Sequence, residues 1–179
     1  MTIHPSTHTC DSPDCGCGNV NTEAALRVAV ITLSDTRTSA DDRSGDRVAK
    51  LLGDAGHVVA ERLIMSDDAE PLRKKIRELT ANTSLHAIIT TGGTGIAPRD
   101  MAVDVIDSLL EVRLPGFGEH FRALSIAEIG PKGMLSRATA GRINQVVLFA
   151  LPGSTGAVTT AMEQCVLPII RHASALVSQ

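Results

Sequence analysis

Nearly continuous runs of apolar, β-branched residues alternate along the chain with segments in which apolar residues recur at helical spacing. The first run, LRVAVITL, is typical of a strand buried on both faces of a parallel sheet. The predicted buried strands are residues 26–33, 57–65, 86–91 and 146–151. Residues 136–145 are predicted to be extended, and a turn at Gly141 and Asn144 would close them into an antiparallel hairpin with the last strand.

Amphipathic segments between these strands predict the helices. The first is expected to begin after Ser44 as N-cap and to end at Gly53 or Gly56. The remaining predicted helices are residues 68–82, 102–110, 118–129 and 155–177. Strands that alternate with helices indicate a right-handed, doubly wound α/β fold with helices on both faces of a mostly parallel sheet. Ligands of such folds lie at the carboxyl ends of the strands.

The first 23 residues differ in composition from the rest. They are rich in Ser, Thr, Asp, Pro, Gly and Cys and have no periodicity, so we expect a flexible tail, followed by a single domain over residues 24–179. The tail contains ligand types that zinc or copper prefers, namely His4, His8, Cys10, Cys15 and Cys17. Their spacing matches no standard zinc finger, so a metal role of the tail stays an open alternative.

Charge and hydropathy exclude several classes of function. The net charge is −3 and only 2% of residues are aromatic, which argues against nucleic-acid binding. No apolar run is long enough for a membrane span, and nothing resembles a secretory signal, so we expect a cytoplasmic protein without a membrane partner. Cys165 lies in an apolar stretch and is expected to pack in the core, as is His172 seven residues later.

Small residues follow three predicted strands. The loops are TTGGTG at residues 90–95, LPGST at residues 151–155, and Ser34 with Asp35 after the first strand. Glycines let backbone N–H groups approach an anion, and a following helix N-terminus adds positive charge, so these loops predict a phosphate site. Each loop taken alone could be an ordinary turn. Neither glycine-containing loop fits a Walker A or dinucleotide-binding motif.

Carboxylates are expected beside this phosphate site. Asp67 and Asp68 follow the second strand, and Asp100 stands five residues after Gly95. Acidic groups next to phosphate need a cation between them, and Mg²⁺ held by one or two carboxylates and substrate phosphates meets that need. The pattern indicates metal-assisted phosphoryl or nucleotidyl transfer. Alternatively, Asp67 or Asp68 caps the following helix.

Together these motifs resemble the MoaB/Mog family of molybdopterin-binding proteins. The resemblance covers residues 26–179. It is carried by the first strand with Ser34-Asp35, GGTG followed by Arg99-Asp100, LPGFGEHFRALS at residues 114–125, Ser136-Arg137, and PGS at residues 152–154. It implies a three-layer α/β/α sandwich that assembles as a homotrimer or homohexamer. It also implies that molybdopterin and ATP are substrates and that Mg²⁺ is the cofactor of a molybdopterin adenylyltransferase that releases pyrophosphate.

Residue roles carry over from the resemblance by motif. Asp67 and Asp100 would be the catalytic and Mg²⁺-binding carboxylates, and Glu119 would orient a neighbour or the substrate. The residues expected to bind substrate or its phosphate are Ser34, Asp35, Gly92, Gly93, Thr94, Gly95, Glu119, Ser136, Arg137, Pro152, Gly153 and Ser154. Phe117 is expected to fill the core or a subunit interface, and Arg137 could instead be a surface ion-pair partner.

Two features depart from the pattern of the catalytic relatives. Ser66 precedes Asp67 where those relatives often carry Pro, and PGST resembles the B-type branch more than the dedicated adenylyltransferases. A noncatalytic molybdopterin-binding or scaffold protein of the same pathway is therefore the alternative to the enzyme.

Overall fold

The computed structural model describes residues 24–38 and 40–179, so the predicted tail and its possible metal ligands lie outside the described residues. Six strands form one sheet in the order β2-β1-β3-β6-β5-β4. The strands are β1 Arg27–Leu33, β2 Val58–Met65, β3 Ala87–Thr91, β4 Val112–Arg113, β5 Thr139–Ile143 and β6 Val146–Leu151. The helices are α1 Arg43–Asp54, α2 Ala69–Thr80, α3 Ala102–Leu109, α4 Pro115–Ile129, α5 Thr155–Ala161 and α6 Ile170–Val177.

Four strands run parallel, and their carboxyl ends share one edge of the sheet. β1 pairs in parallel with β2 and β3, and β3 pairs in parallel with β6. Thr91, near the end of β3, is level with Thr32 on one side and Leu151 on the other. We call this the carboxyl edge. As predicted, β5 runs antiparallel to β6, and the turn between them places Asn144 at a positive φ of 52°.

Alternate side chains of the buried strands face two separate hydrophobic layers. Val28 and Val30 of β1 pack with α1, α4, α5 and α6, whereas Ala29 and Ile31 pack with α2 and α3. The sheet therefore lies between two helical layers, and the predicted three-layer α/β/α sandwich is confirmed. Phe117 is buried in the first layer, with its ring centroid 5.4 Å from that of Phe149. Cys165 is buried there too, as expected.

Helix ends differ from the prediction in two places. Asp42, not Ser44, is the N-cap of α1, because its side chain accepts a hydrogen bond from the Gly45 N–H at 2.9 Å. The helix predicted from residue 118 begins instead at Pro115, whose fixed φ suits the first helical position.

The prediction of a single long C-terminal helix over residues 155–177 is wrong. After α5 the backbone forms a π-helical turn, Met162–Val166, and then leaves the helix before α6 begins. Pro168 lies in this break, where it lacks the N–H that a continuous helix would need. The two-residue strand β4 and the 3₁₀ helix Gly130–Leu135 were not predicted, since such short elements carry no recognisable periodicity. No helix of the described residues is long and apolar enough to cross a membrane.

Candidate functional site

Loops that follow four parallel strands meet at the carboxyl edge. Ser34 follows β1, Asp67 follows β2, Gly92 follows β3 and Pro152 follows β6. Backbone hydrogen bonds tie neighbouring loops together: the Ser34 N–H donates to the Met65 carbonyl and the Gly92 N–H donates to the Leu151 carbonyl, each at 2.9 Å. The fold thus brings to one edge the segments from which the phosphate site was predicted.

A small pocket of about 130 Å³ lies between three of these loops. It is lined by Leu33, Ser34, Asp35, Thr36, Asp67, Gly93, Arg99 and Asp100. Five predicted site residues, among them both predicted metal-binding carboxylates, therefore share one cavity. We call it the carboxylate pocket.

Glycine is needed at two consecutive positions beside this pocket. Gly92 and Gly93 have positive φ angles of 103° and 64°, a region that side chains disfavour. A Cβ on Gly92 would collide with the Leu33 carbonyl oxygen, and one on Gly93 would collide with the Asp67 carboxylate. The two glycines let β3 end tightly against β1 and let the Asp67 side chain reach the pocket.

Asp67 is the most electrostatically strained group of the pocket. Its pKa is raised to about 6, mainly by burial and also by the nearby Asp100 and Asp35 carboxylates, whereas the backbone N–H groups of Met101 and Ala102 lower it. Within the described residues its Oδ1 is buried without a hydrogen-bond partner. The Met101 and Ala102 N–H groups, at the start of α3, face the Asp67 carboxylate. A cation in the pocket would relieve this charge.

Asp100 is held differently. Its Oδ2 accepts a hydrogen bond from the Ala97 N–H at 2.8 Å, and the carboxylate lies against Gly95. Among residues 24–38 and 40–179, no three Asp, Glu, His or Cys side chains approach closely enough to form a complete metal site. The protein alone therefore offers Mg²⁺ the one or two carboxylates that this ion usually takes from a protein, and leaves its other positions to ligand oxygens.

The other carboxylate after β2 does not act as a helix cap. Asp68 occupies the N-cap position of α2, but its side chain makes no capping hydrogen bond. Its Oδ2 accepts instead from the Ser66 hydroxyl at 2.7 Å.

Glu119, Ser136 and Arg137 lie outside the carboxylate pocket. They line a separate groove of about 490 Å³ between α3, α4 and β5, which we call the α4 groove. A third cavity of about 300 Å³ is adjacent to both, since it shares Asp100 with the carboxylate pocket and Arg137 with the α4 groove. Part of the predicted set therefore lines neighbouring cavities, whereas Gly92, Thr94, Gly95 and residues 152–154 line none of these three.

Arg137 binds the loop after β3 and the helix that follows that loop. Its guanidinium donates to the Gly95 carbonyl at 2.8 Å, to the Asp100 carbonyl, and to both oxygens of Asp104 at 2.9 and 3.0 Å. Its backbone N–H donates to the Thr94 carbonyl at 2.8 Å. Arg137 is thus an ion-pair partner that also holds the loop after β3.

The loop after β6 does not line the carboxylate pocket. Ser154 caps α5 by accepting from the Ala157 N–H at 3.4 Å, and a methyl group on Gly153 would lie 3.4 Å from the Gly92 Cα. Pro152 connects β6 to this turn. Of these three residues, Gly153 is the one that lies close to the glycine turn after β3.

The sequence analysis missed a polar network beneath the carboxyl edge. Arg37 donates to the Ser44 hydroxyl and, at 3.2 Å, to the Gly153 carbonyl, which joins the loops after β1 and β6. Arg62 of β2 pairs with the buried Asp42 at 2.7 Å. Arg37 and Arg62 also line a groove of about 670 Å³ that shares Ser34 and Asp35 with the carboxylate pocket. Arginines in a polar loop and a strand carry no local signal of such pairing.

Known proteins match the chain over nearly all of the described domain. A family model described as a probable molybdopterin binding domain matches residues 29–172. Molybdenum cofactor biosynthesis protein B of Bacillus subtilis is 42% identical over 148 residues, which cover 82% of this chain and 87% of that protein.

Solved structures agree with the sequence relatives. A crystal structure of molybdenum cofactor biosynthesis protein B superposes with a TM-score of 0.84 at 38% identity, covering 87% of this chain and 97% of that one. The Mog protein of molybdopterin biosynthesis from Mycobacterium ulcerans gives a TM-score of 0.78 at 26% identity and covers 87% and 98%. With its family model, its relatives and its fold in agreement, the chain belongs to the MoaB/Mog family of molybdopterin-binding domain proteins.

Proposed function

We propose that this protein binds molybdopterin at the carboxyl edge and adenylylates it with Mg-ATP, releasing pyrophosphate. Its relatives are named for molybdenum cofactor biosynthesis, and the matching domain for molybdopterin binding. The observation that carries the catalytic part is Asp67, a half-buried carboxylate without a partner for Oδ1 among the described residues, facing two further carboxylates. Such a group is unfavourable unless a cation joins it.

Asp67 and Asp100 fit Mg²⁺ as its protein ligands. Both line the carboxylate pocket, and both are hard oxygen donors of the kind that Mg²⁺ takes together with substrate phosphates. Bound there, the ion would neutralise charge on the reacting phosphates. Asp35 adds negative charge at the pocket mouth and favours the same cation.

The reaction joins two phosphates and needs no covalent enzyme intermediate. An oxygen of the molybdopterin phosphate attacks the α-phosphorus of ATP, the bond to the bridging oxygen breaks, and pyrophosphate leaves. The protein contributes by holding two anions in line and by lowering their repulsion. Ser34 and the turn with Gly93 border the point of transfer, and the α4 groove with Glu119 and Ser136 offers donors and acceptors to a pterin ring.

The deciding experiment incubates the purified protein with molybdopterin and Mg-ATP and measures pyrophosphate and adenylylated product. We expect wild type to form both, and Asp100→Asn to keep its fold but lose at least about 10-fold in turnover, because the metal loses a charged ligand. Asp54→Asn is the matched control, since that exposed carboxylate lies at the C-terminal end of α1, away from the carboxyl edge.

Two results would contradict the catalytic proposal. Unchanged turnover and Mg²⁺ dependence in Asp100→Asn would remove Asp100 from the metal site. Molybdopterin binding without any adenylylated product in wild type would support the noncatalytic binding or scaffold protein instead.

We also propose that the protein is a homo-oligomer, a trimer or a hexamer. Large apolar side chains are exposed together at the end of α4 and on the following 3₁₀ helix: Ile126, Ile129, Met134 and Leu135. A patch of this kind is typical of a subunit interface. Light scattering after size exclusion should give three or six times the mass of one chain, and Ile129→Glu should lower it. A wild-type monomer would contradict the proposal.

A further inference from the structure

Arg137 joins both ends of the loop that carries Asp100 to the helix that follows it. Its backbone and Nε hold the start of the loop through the Thr94 and Gly95 carbonyls, and Nη2 holds its end through the Asp100 carbonyl. Nη1 binds both oxygens of Asp104 in the first turn of α3. One side chain thus ties the beginning of the loop to its end and to the helix that follows.

Two of the three carboxylates that line the pocket, Asp67 and Asp100, depend on this loop. The Asp100 carboxylate lies against Gly95 and accepts from the Ala97 N–H, both within the loop. Asp67 faces the backbone N–H groups of Met101 and Ala102, which come directly after the carbonyl that Arg137 holds. Movement of the loop end would therefore shift Asp100 and the amides beside Asp67 at the same time.

The donors of Arg137 are largely used up in these contacts. A guanidinium has five N–H groups. Four hydrogen bonds engage them: one from Nε, two from Nη1 and one from Nη2. Little capacity is left for a ligand phosphate, and lysine could not reproduce the fork that reaches Gly95, Asp100 and Asp104 together.

We infer that Arg137 is a positioning residue for the Asp67 and Asp100 carboxylates rather than a contact to substrate phosphate. This inference rests on the proposed function, because it takes those carboxylates to be the Mg²⁺ ligands. Residues that orient metal ligands change metal affinity by about 10- to 100-fold when they are replaced. Asp104 acts in the same chain of contacts, since it holds Nη1 of Arg137 in place.

The test measures metal and pterin binding separately, without turnover. Mn²⁺, which reports on Mg²⁺ sites, is titrated into the protein together with a non-hydrolysable ATP analogue, whose phosphates supply the remaining ligand oxygens. Its electron paramagnetic resonance signal is compared with that of the same mixture without protein. Molybdopterin binding is followed by pterin fluorescence, which is readable because the chain contains no Trp and no Tyr. The variants are Arg137→Met, Arg137→Lys and Asp104→Asn, and the control is Arg142→Met, an arginine of β5 that pairs with Glu111.

For Arg137→Met we expect the Kd for Mn²⁺ to rise at least about 10-fold, while the Kd for molybdopterin stays within about 2-fold of wild type. Arg137→Lys should restore little of the metal affinity. Asp104→Asn should weaken Mn²⁺ binding by about 3-fold, a smaller loss because Arg137 keeps its two carbonyl partners. Should Arg137→Met fail to fold, the other two variants decide the matter.

Two opposite outcomes separate this inference from the function on which it rests. Unchanged Mn²⁺ affinity with about 10-fold weaker molybdopterin binding in the Arg137 variants would make Arg137 a ligand contact and would overturn the inference alone. A wild-type protein that takes up no Mn²⁺ even with the ATP analogue present would remove the proposed metal site and the inference with it.

Discussion

Two aspartates near the carboxyl edge, Asp42 and Asp67, show opposite ways of handling a buried charge. The Asp42 side chain is fully buried and accepts hydrogen bonds from Arg62 at 2.7 Å, Thr32 at 2.8 Å and Gly45 at 2.9 Å. Burial by itself would raise the pKa of Asp42, but these hydrogen bonds outweigh it and the pKa lies below its usual value. Asp67 shares its pocket with Arg99 but forms no ion pair among the described residues, and burial with two neighbouring carboxylates raises its pKa to about 6.

This difference indicates that Asp42 has a structural role and Asp67 a functional one. The protein's own residues compensate the charge of Asp42, so that this aspartate fixes β1, β2 and α1 relative to one another. No described residue compensates the charge of Asp67. An uncompensated carboxylate of this kind is what a metal site contains before the metal binds. Loss of each carboxylate should therefore change the free energy of unfolding in opposite directions.

The largest expected effect is that of Asp42→Ala. It removes the partner of Arg62 and leaves the Thr32 hydroxyl and the Gly45 N–H without their acceptor, so the free energy of unfolding should fall by about 3 kcal/mol in urea denaturation. Asp46→Ala removes the other carboxylate bound to Arg62. Because Asp46 is exposed, the free energy of unfolding should fall by less than about 1 kcal/mol. Equal losses from the two variants would contradict the contrast between a buried and an exposed partner.

Gly93→Ala changes the surroundings of Asp67, the second aspartate of the comparison. The added methyl group meets the Asp67 carboxylate and lies 2.6 Å from the Ala102 Cβ, at a φ of 64° that alanine disfavours. We expect a loss of about 2 kcal/mol in urea denaturation. Gly116→Ala is the control, because nothing lies within 4 Å of the added methyl group, and it should change stability by less than about 0.5 kcal/mol. A neutral Gly93→Ala would mean that this turn is not constrained.

Asp67→Asn should stabilise the metal-free protein. The folded pKa of Asp67, about 6, lies above the ordinary aspartate value of 3.8, so the folded state binds more protons between these pH values and stability falls as the pH rises through them. Asparagine removes that penalty, and we expect a gain of about 1 kcal/mol above pH 6 after allowing for partial solvent exposure. The gain should vanish near pH 4, which is the internal control. The stabilisation of wild type by Mg²⁺ should be lost, and destabilisation at pH 7.5 would contradict this account.

The smallest effect concerns His57, at the opposite edge of the sheet, just before β2. Burial, with the Arg171 charge, lowers the pKa of His57, and its Nδ1 accepts from the Leu26 N–H at 3.3 Å. The neutral form is favoured in the fold, so this histidine's contribution is present above pH 6.5 and is lost as the pH falls through the lowered pKa. His57→Gln should flatten the pH dependence by less than about 1 kcal/mol between pH 7.5 and 5, opposite in sign to Asp67. An unchanged pH profile would contradict this.

Strands and helix faces could be predicted from the sequence because their signals are local. A run rich in β-branched residues such as VAVITL is typical of a strand buried on both faces of a sheet, and the small residues after residues 33, 91 and 151 lie where parallel strands end. The family resemblance followed from the motifs themselves and from their order and spacing along the chain. Pro168 also carried a local signal, which the predicted long helix overlooked.

The partners of the polar side chains were decided by the tertiary structure. Asp42, Asp67 and Asp100 read alike in the sequence, yet one meets Arg62, one meets other carboxylates, and one accepts from the Ala97 N–H. Arg137 meets a loop some 40 residues before it in the chain. Hydrophobic periodicity determines which face of an element is buried. The charge that faces a given carboxylate depends instead on how elements distant in the sequence pack together. This packing distinguishes Asp42, whose charge is compensated, from Asp67, whose charge is not.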